Sequence, residues 1–158
     1  MSCTQILPGR CVSHPYHVAV RSNAEAQAYL AGLGGEVRLL AEAVHRVFVT
    51  LGCESYVKTI YIGYEIDGEM VAAAYSHADH VEVALALPED VEGDLLVDAT
   101  HLTWRTLPVA ALVRRTDDLP VFESLATDAC DRVRSRAHDI HRDNEFFVKS
   151  AREHRSKR

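Results

Sequence analysis

Apolar and polar positions alternate with period two over three consecutive stretches, and the rest of the chain is read around them. Tyr56–Ile66 (YVKTIYIGYEI) is rich in β-branched and aromatic residues and runs into Asp67-Gly68. Asp-Gly between apolar runs is the signature of a type I′ hairpin, because both central residues of that turn need φ > 0. Such a turn sets Ile66 opposite Glu69 and predicts the cross-strand pairs Tyr64–Val71, Ile62–Ala73, Ile60–Tyr75 and Lys58–His77 on one core-facing side. Thr59, Tyr61, Gly63, Ala72 and Ala74 fall on the other side. The next strand, His80–Leu87 (HVEVALAL), brings Val81, Val83 and Leu85 to the core face if residues 77–79 form the loop before it.

Elsewhere the period changes to that of a helix. Ser22-Asn23-Ala24-Glu25 reads as a capping box opening a short helix through Leu33, which Gly34-Gly35 ends. From Glu36 to Leu51, the apolar residues Val37, Leu40, Ala41, Val44, Val47, Phe48 and Leu51 form one stripe, and Gly52 is placed to stop the helix. His45 lies off that stripe and is expected in solvent. Pro88–Asp98 reads as an acidic loop, and Leu107–Arg114 as a fourth strand with Pro108 marking it as an edge. Asp117-Asp118 and Pro120 open a last helix that buries Val121, Phe122, Leu125, Ala126, Ala129 and Val133. The expected architecture is α+β: a four-stranded antiparallel sheet packed by an N-terminal and a C-terminal helix. Residues 1–21 form an arm, 22–140 a single domain and 141–158 a basic tail.

Composition narrows the classes of function. The chain has 158 residues, 47% of them hydrophobic, which suffices for one domain with a real core. A net charge of −6 argues against general nucleic-acid binding and leaves the basic tail as the segment suited to an acidic polymer. No apolar run reaches the roughly 18 residues that a membrane span requires, and the opening MSCTQILPGRCVSHPYH, without a basic n-region before an apolar stretch, is not expected to be a secretory signal. Cys3, Cys11, Cys53 and Cys130 show no disulfide framework, which fits reduced thiols in a cytoplasm.

The candidate chemistry gathers at one sheet end, where Lys58, His77, Asp79 and His80 are expected together. Lys58, Tyr75, His77 and His80 form one wall of a ligand site, with Trp104 and Arg105 as the other, and the cations favour an anionic or planar ligand. His77, Asp79 and His80 double as candidate ligands for a divalent metal, although their spacing matches no specific metal motif. Cys3, Cys11, His14 and His17 make a second, equally unspecific zinc pattern. The pattern specifies no cofactor. No nucleophile motif, P-loop, dinucleotide fingerprint or metalloprotease motif is present. A non-catalytic small-ligand or partner-binding domain is therefore the leading reading. Two alternatives stand beside it: a homodimeric interaction module using the small-residue face at Tyr61, Ala72, Ala74 and Ala84, and an acid–base or metal-dependent enzyme using His77, Asp79 and His80.

Several short motifs also resemble a known family. Tyr29-Leu30-Ala31-Gly32-Leu33 followed by Glu36-Val37-Arg38-Leu39-Leu40, and His80-Val81 opening a strand, look like the YdhG-like small bacterial α+β domains. Lys58-Thr59 and the Leu107–Val113 strand followed by Asp-Asp-Leu are similar to an uncharacterised sister group, some of whose members are labelled predicted transport protein. The likeness spans about 24–133. It implies a helix–sheet–helix sandwich, and some family members are described as iron-chaperone-like, but it carries over neither metal ligands nor a catalytic residue.

Overall fold

The computed structural model describes residues 15–136, with side chains from residue 23 onward. The Cys3/Cys11/His14 pattern and the basic tail lie outside the described residues, as does the side chain of His17. Helix α1 (Pro15–Ala31) is followed by α2 (Gly35–Thr50), and α3 (Leu119–Ser135) closes the described chain. Between them lie β1 (Glu54–Val57), β2 (Tyr61–Ile66), β3 (Glu69–Ser76), β4 (Val81–Leu85), β5 (Leu96–Asp98) and β6 (Val109–Val113). The α+β class is as expected, but the antiparallel sheet has six strands rather than four, in the order β1-β2-β3-β4-β6-β5. No described helix is long and apolar enough to cross a membrane.

Three boundaries differ from the sequence reading. The first helix begins at Pro15, so Ser22 lies inside it rather than capping it. Tyr56–Ile66 is two strands, folded back through a turn in which the Lys58 N–H donates to the Tyr61 carbonyl. The acidic stretch 88–98 ends in β5, and that strand rather than β6 forms the sheet edge.

The hairpin turn itself lies where Asp-Gly puts it. Asp67 and Gly68 have φ of 51° and 81°, and Ile66 pairs with Glu69. Beyond that pair the register shifts between Tyr64 and Glu65: Tyr64 pairs with Ala72, Ile62 with Ala74 and Tyr61 with Tyr75. A bulge of one residue moves every later side chain of β3 to the opposite face. The expected pairs Tyr64–Val71, Ile62–Ala73 and Ile60–Tyr75 are therefore not formed. The next turn compensates. The His77 N–H donates to the His80 carbonyl across Ala78-Asp79, and Val81, Val83 and Leu85 pair with Ser76, Ala74 and Ala72. Two parity changes cancel, so β4 meets the core with the expected residues.

The face holding Ile62, Tyr64, Ala72, Ala74, Val83 and Leu85 packs on the helices. Phe48 of α2 stacks on Tyr64 with ring centroids 4.3 Å apart and meets Phe122 of α3 edge-on at 5.8 Å. In α2 the expected stripe is buried at Val37, Leu40, Ala41, Val44 and Phe48. In α3 the buried positions are Phe122, Ala126, Ala129, Cys130 and Val133, while Val121 faces solvent. His45 corrects the sequence reading. It is 2% exposed, with Nδ1 2.9 Å from the Tyr64 hydroxyl and Nε2 3.0 Å from Asn23 Oδ1. The amide oxygen of Asn23 only accepts, so Nε2 carries the proton and Nδ1 accepts from Tyr64. Burial holds the imidazole below its ordinary pKa.

Candidate functional site

The second sheet face carries Tyr61, Gly63, Ala73, Tyr75, Glu82, Ala84 and Ala110, by the same register. Tyr56 lies flat across Gly63, where an added Cβ would stand 2.2 Å from its ring. A glycine beneath an aromatic ring lets the ring seal the strand without a competing side chain. The Tyr56 hydroxyl donates to Met70 Sδ at 3.1 Å, and burial pushes its pKa up.

The excursion from β4 to β6 folds back over this face. Trp104 meets Tyr61 edge-on at 5.5 Å, and its indole N–H donates to the Tyr75 hydroxyl at 2.7 Å. A short 3-10 turn, Thr100–Leu102, precedes it, and Thr103 takes a left-handed φ of 61° that brings the chain round. From that turn His101 Nε2 approaches Glu82 at 2.8 Å, while His77 Nε2 approaches the other carboxylate oxygen at 3.2 Å. Glu82 is 6% exposed in the middle of the sheet. A carboxylate that far from water needs partners for its oxygens, and two imidazole N–H groups supply them.

These contacts redistribute the expected site. Lys58 is exposed in the β1–β2 turn, with its ammonium 5.8 Å from the centre of the Tyr56 ring, and is not a cross-strand partner of His77. The single strand that would have paired them is broken at residues 58–60, so the expected wall is not assembled. His77 and His80 do come together, with rings stacked at 4.6 Å. They turn to different carboxylates: His80 Nδ1 lies 2.7 Å from Asp79, His77 lies beside Glu82. The His80 N–H holds the Asp79 carboxyl below the usual carboxylate range. No group of three or more His, Cys, Asp or Glu is placed to hold a metal ion among the described residues. Tyr75 turns to Trp104, and desolvation raises its pKa against the indole bond that lowers it.

The expected small-residue interface is also rearranged. Ala72 and Ala74 sit on the helix side because of the bulge, and Ala84, although on the second face, is 0% exposed. Of that group only Tyr61 reaches the surface in part.

Trp104 and Arg105 lie in a cleft of about 630 Å³ beside β5. Val91, Leu96, Val97 and Pro108 give it apolar walls, and Glu89, Glu92 and Asp98 contribute carboxylates. Asp98 accepts from the Thr100 N–H at 2.6 Å, and hydrogen bonding by the Thr100 side chain, then by that N–H, holds its carboxyl below the usual range. A second cavity, of about 250 Å³, lies between α1 and α2 next to His45. Neither cavity is lined by Lys58, His77 or His80.

Glu82, His101 and strand β5 escaped the sequence reading. The signal for Glu82 was present: a carboxylate flanked by Val81, Val83 and Ala84 in an apolar strand must find partners if both sheet faces are covered. No protein-family model, curated protein or solved structure matches the chain.

Proposed function

We propose that the chain is a small-ligand-binding domain whose site is the cleft beside β5, and that its ligand joins a cationic amine or amidine to a planar or apolar body. The observation that carries this reading is the cleft itself. About 630 Å³ falls within the range of small-ligand pockets, and the walls combine apolar side chains with a few polar groups. Three carboxylates against one guanidinium give the cleft an acidic bias. The anionic ligand expected from Lys58 and Arg105 loses Lys58, which stands in another turn. An aromatic wall at Trp104 adds attraction for an organic cation through its ring quadrupole.

Trp104 is the only tryptophan in the chain, so its fluorescence reports this cleft alone. The test is a fluorescence titration with agmatine, spermidine and benzamidine, with benzoate and adenosine monophosphate as anionic controls. A saturable change with the cations, weakened by Glu89→Gln/Glu92→Gln and by salt, supports the reading. Silence towards every cation, or an equal response to the anions that the double variant leaves unchanged, overturns it.

A further inference from the structure

Two thiols separated by 77 positions in sequence meet where α2 ends and β1 begins. Cys53 follows α2 in a Schellman motif: its N–H donates to the Phe48 carbonyl and that of Gly52 to the Val49 carbonyl, with Gly52 at φ 84°. Backbone bonds thus fix where Cys53 stands. Cys130 is on the buried stripe of α3, and the two sulfurs are 3.5 Å apart. Four residues on, Arg134 reaches back across the pair and donates to the Leu51 carbonyl at the end of α2. Cys130 is fully buried, whereas Cys53 is partly open to solvent.

We propose that Cys53 and Cys130 are a peroxide-responsive dithiol that closes into a reversible intrachain disulfide, tying the α2–β1 junction to α3. The geometry supplies what the reaction requires. The thiolate is the nucleophile, and a cation beside it favours that form. The Arg134 guanidinium offsets the negative end of the α2 dipole, which would otherwise disfavour charge on Cys53. Either sulfur can donate the hydrogen in the contact between them. When Cys130 holds the proton, the charge stands on Cys53, the sulfur that solvent reaches.

The oxidant is a hydroperoxide. The Cys53 thiolate attacks its terminal oxygen, the O–O bond breaks, and the departing alkoxide takes a proton to become an alcohol. Cys53 is then a sulfenic acid. The Cys130 sulfur attacks it, the S–O bond breaks, and hydroxide leaves with the Cys130 proton as water. Two thiols have lost two electrons and the peroxide has gained them. Closure brings the sulfurs from 3.5 Å to roughly 2 Å.

The experiment uses the full chain carrying Cys3→Ser/Cys11→Ser, treated with tert-butyl hydroperoxide, then denatured and alkylated. The expected result is an intact chain lighter by the two thiol hydrogens and closed to alkylation, with the Cys53 and Cys130 peptides linked until dithiothreitol is added. Closing so long a loop should raise the Tm by about 5–10 °C, reversibly. In the same background, Cys130→Ser should accumulate a dimedone-reactive sulfenic acid at Cys53, and Cys53→Ser should not. Two alkylatable thiols after oxidation, cross-links only between chains, or oxidation past the sulfenic acid without a cross-link would overturn the proposal. A dimedone adduct on Cys130 would overturn the role given to Cys53.

Discussion

On the helix-covered face of the sheet, Tyr64 lies under Phe48 and is bonded to a buried, neutral His45. On the other face, Tyr61 and Tyr75 lie under Trp104, and Glu82 is bonded to His77 and His101. Both faces bury aromatic rings and both satisfy their buried polar groups. They differ in what closes them. Regular helices with continuous apolar stripes cover the first face. An irregular excursion covers the second, held by individual side-chain bonds at Trp104 and His101. A face closed by periodic packing spreads its energy over many residues, whereas a strapped face concentrates it in a few anchors and opens locally more easily.

Core truncations test that contrast most strongly. Phe122→Ala, at a fully buried ring between α2 and α3, should lower the unfolding free energy by about 3–5 kcal/mol in urea denaturation. Trp104→Ala removes a larger but partly exposed ring and should cost about 2 kcal/mol. Equal losses at the two positions would erase the distinction between the faces.

Glu82→Ala removes the acceptor shared by two imidazoles and should cost about 1–2 kcal/mol. Hydrogen exchange should quicken at residues 99–104 and leave α2 unchanged if the strap opens by itself. Acceleration of both regions together would show that the excursion and the helix core form one cooperative unit.

Gly63→Ala forces the Tyr56 ring off its strand, since the new methyl would stand 2.2 Å from it. The ring is partly exposed and can swing outward, so the cost should be about 1 kcal/mol. In a double-mutant cycle Tyr56→Ala should remove most of that cost; full additivity would mean that the ring does not oppose the methyl.

The smallest effect is one of pH on the helix-covered face. Because burial lowers the folded-state pKa of His45 from 6.5, the unfolded chain takes up a proton there that the folded chain refuses. Stability is therefore full above 6.5 and erodes as pH falls toward the lower folded value, by less than about 1.4 kcal/mol per pH unit. His45→Gln should flatten this part of the profile below pH 6.5, and an unchanged slope would assign it to other groups.

How much of this was legible before folding depends on the range of each interaction. The Asp67-Gly68 turn, the α2 stripe with its Gly52 stop and the opening of α3 at Pro120 are set by dihedral preference and by spacing within a few residues. Those signals lie in adjacent positions and survive in the folded molecule. The bulge at Val71 and the two-residue loop at Ala78-Asp79 were not legible. Either register satisfies the local pattern, and only packing against α2 and α3 chooses between them.

The amino-acid order by itself determined the α+β class, the hairpin turn, the second and third helices and the apolar side of β4, because each follows from the neighbours of a residue along the chain. Tertiary structure alone decided which alanines face the helices, that Lys58 stands apart from His77, and that His101 finds Glu82. It also decided that Cys53 lies against Cys130. Those outcomes depend on contacts between positions remote in sequence, where loop closure and burial outweigh local preference.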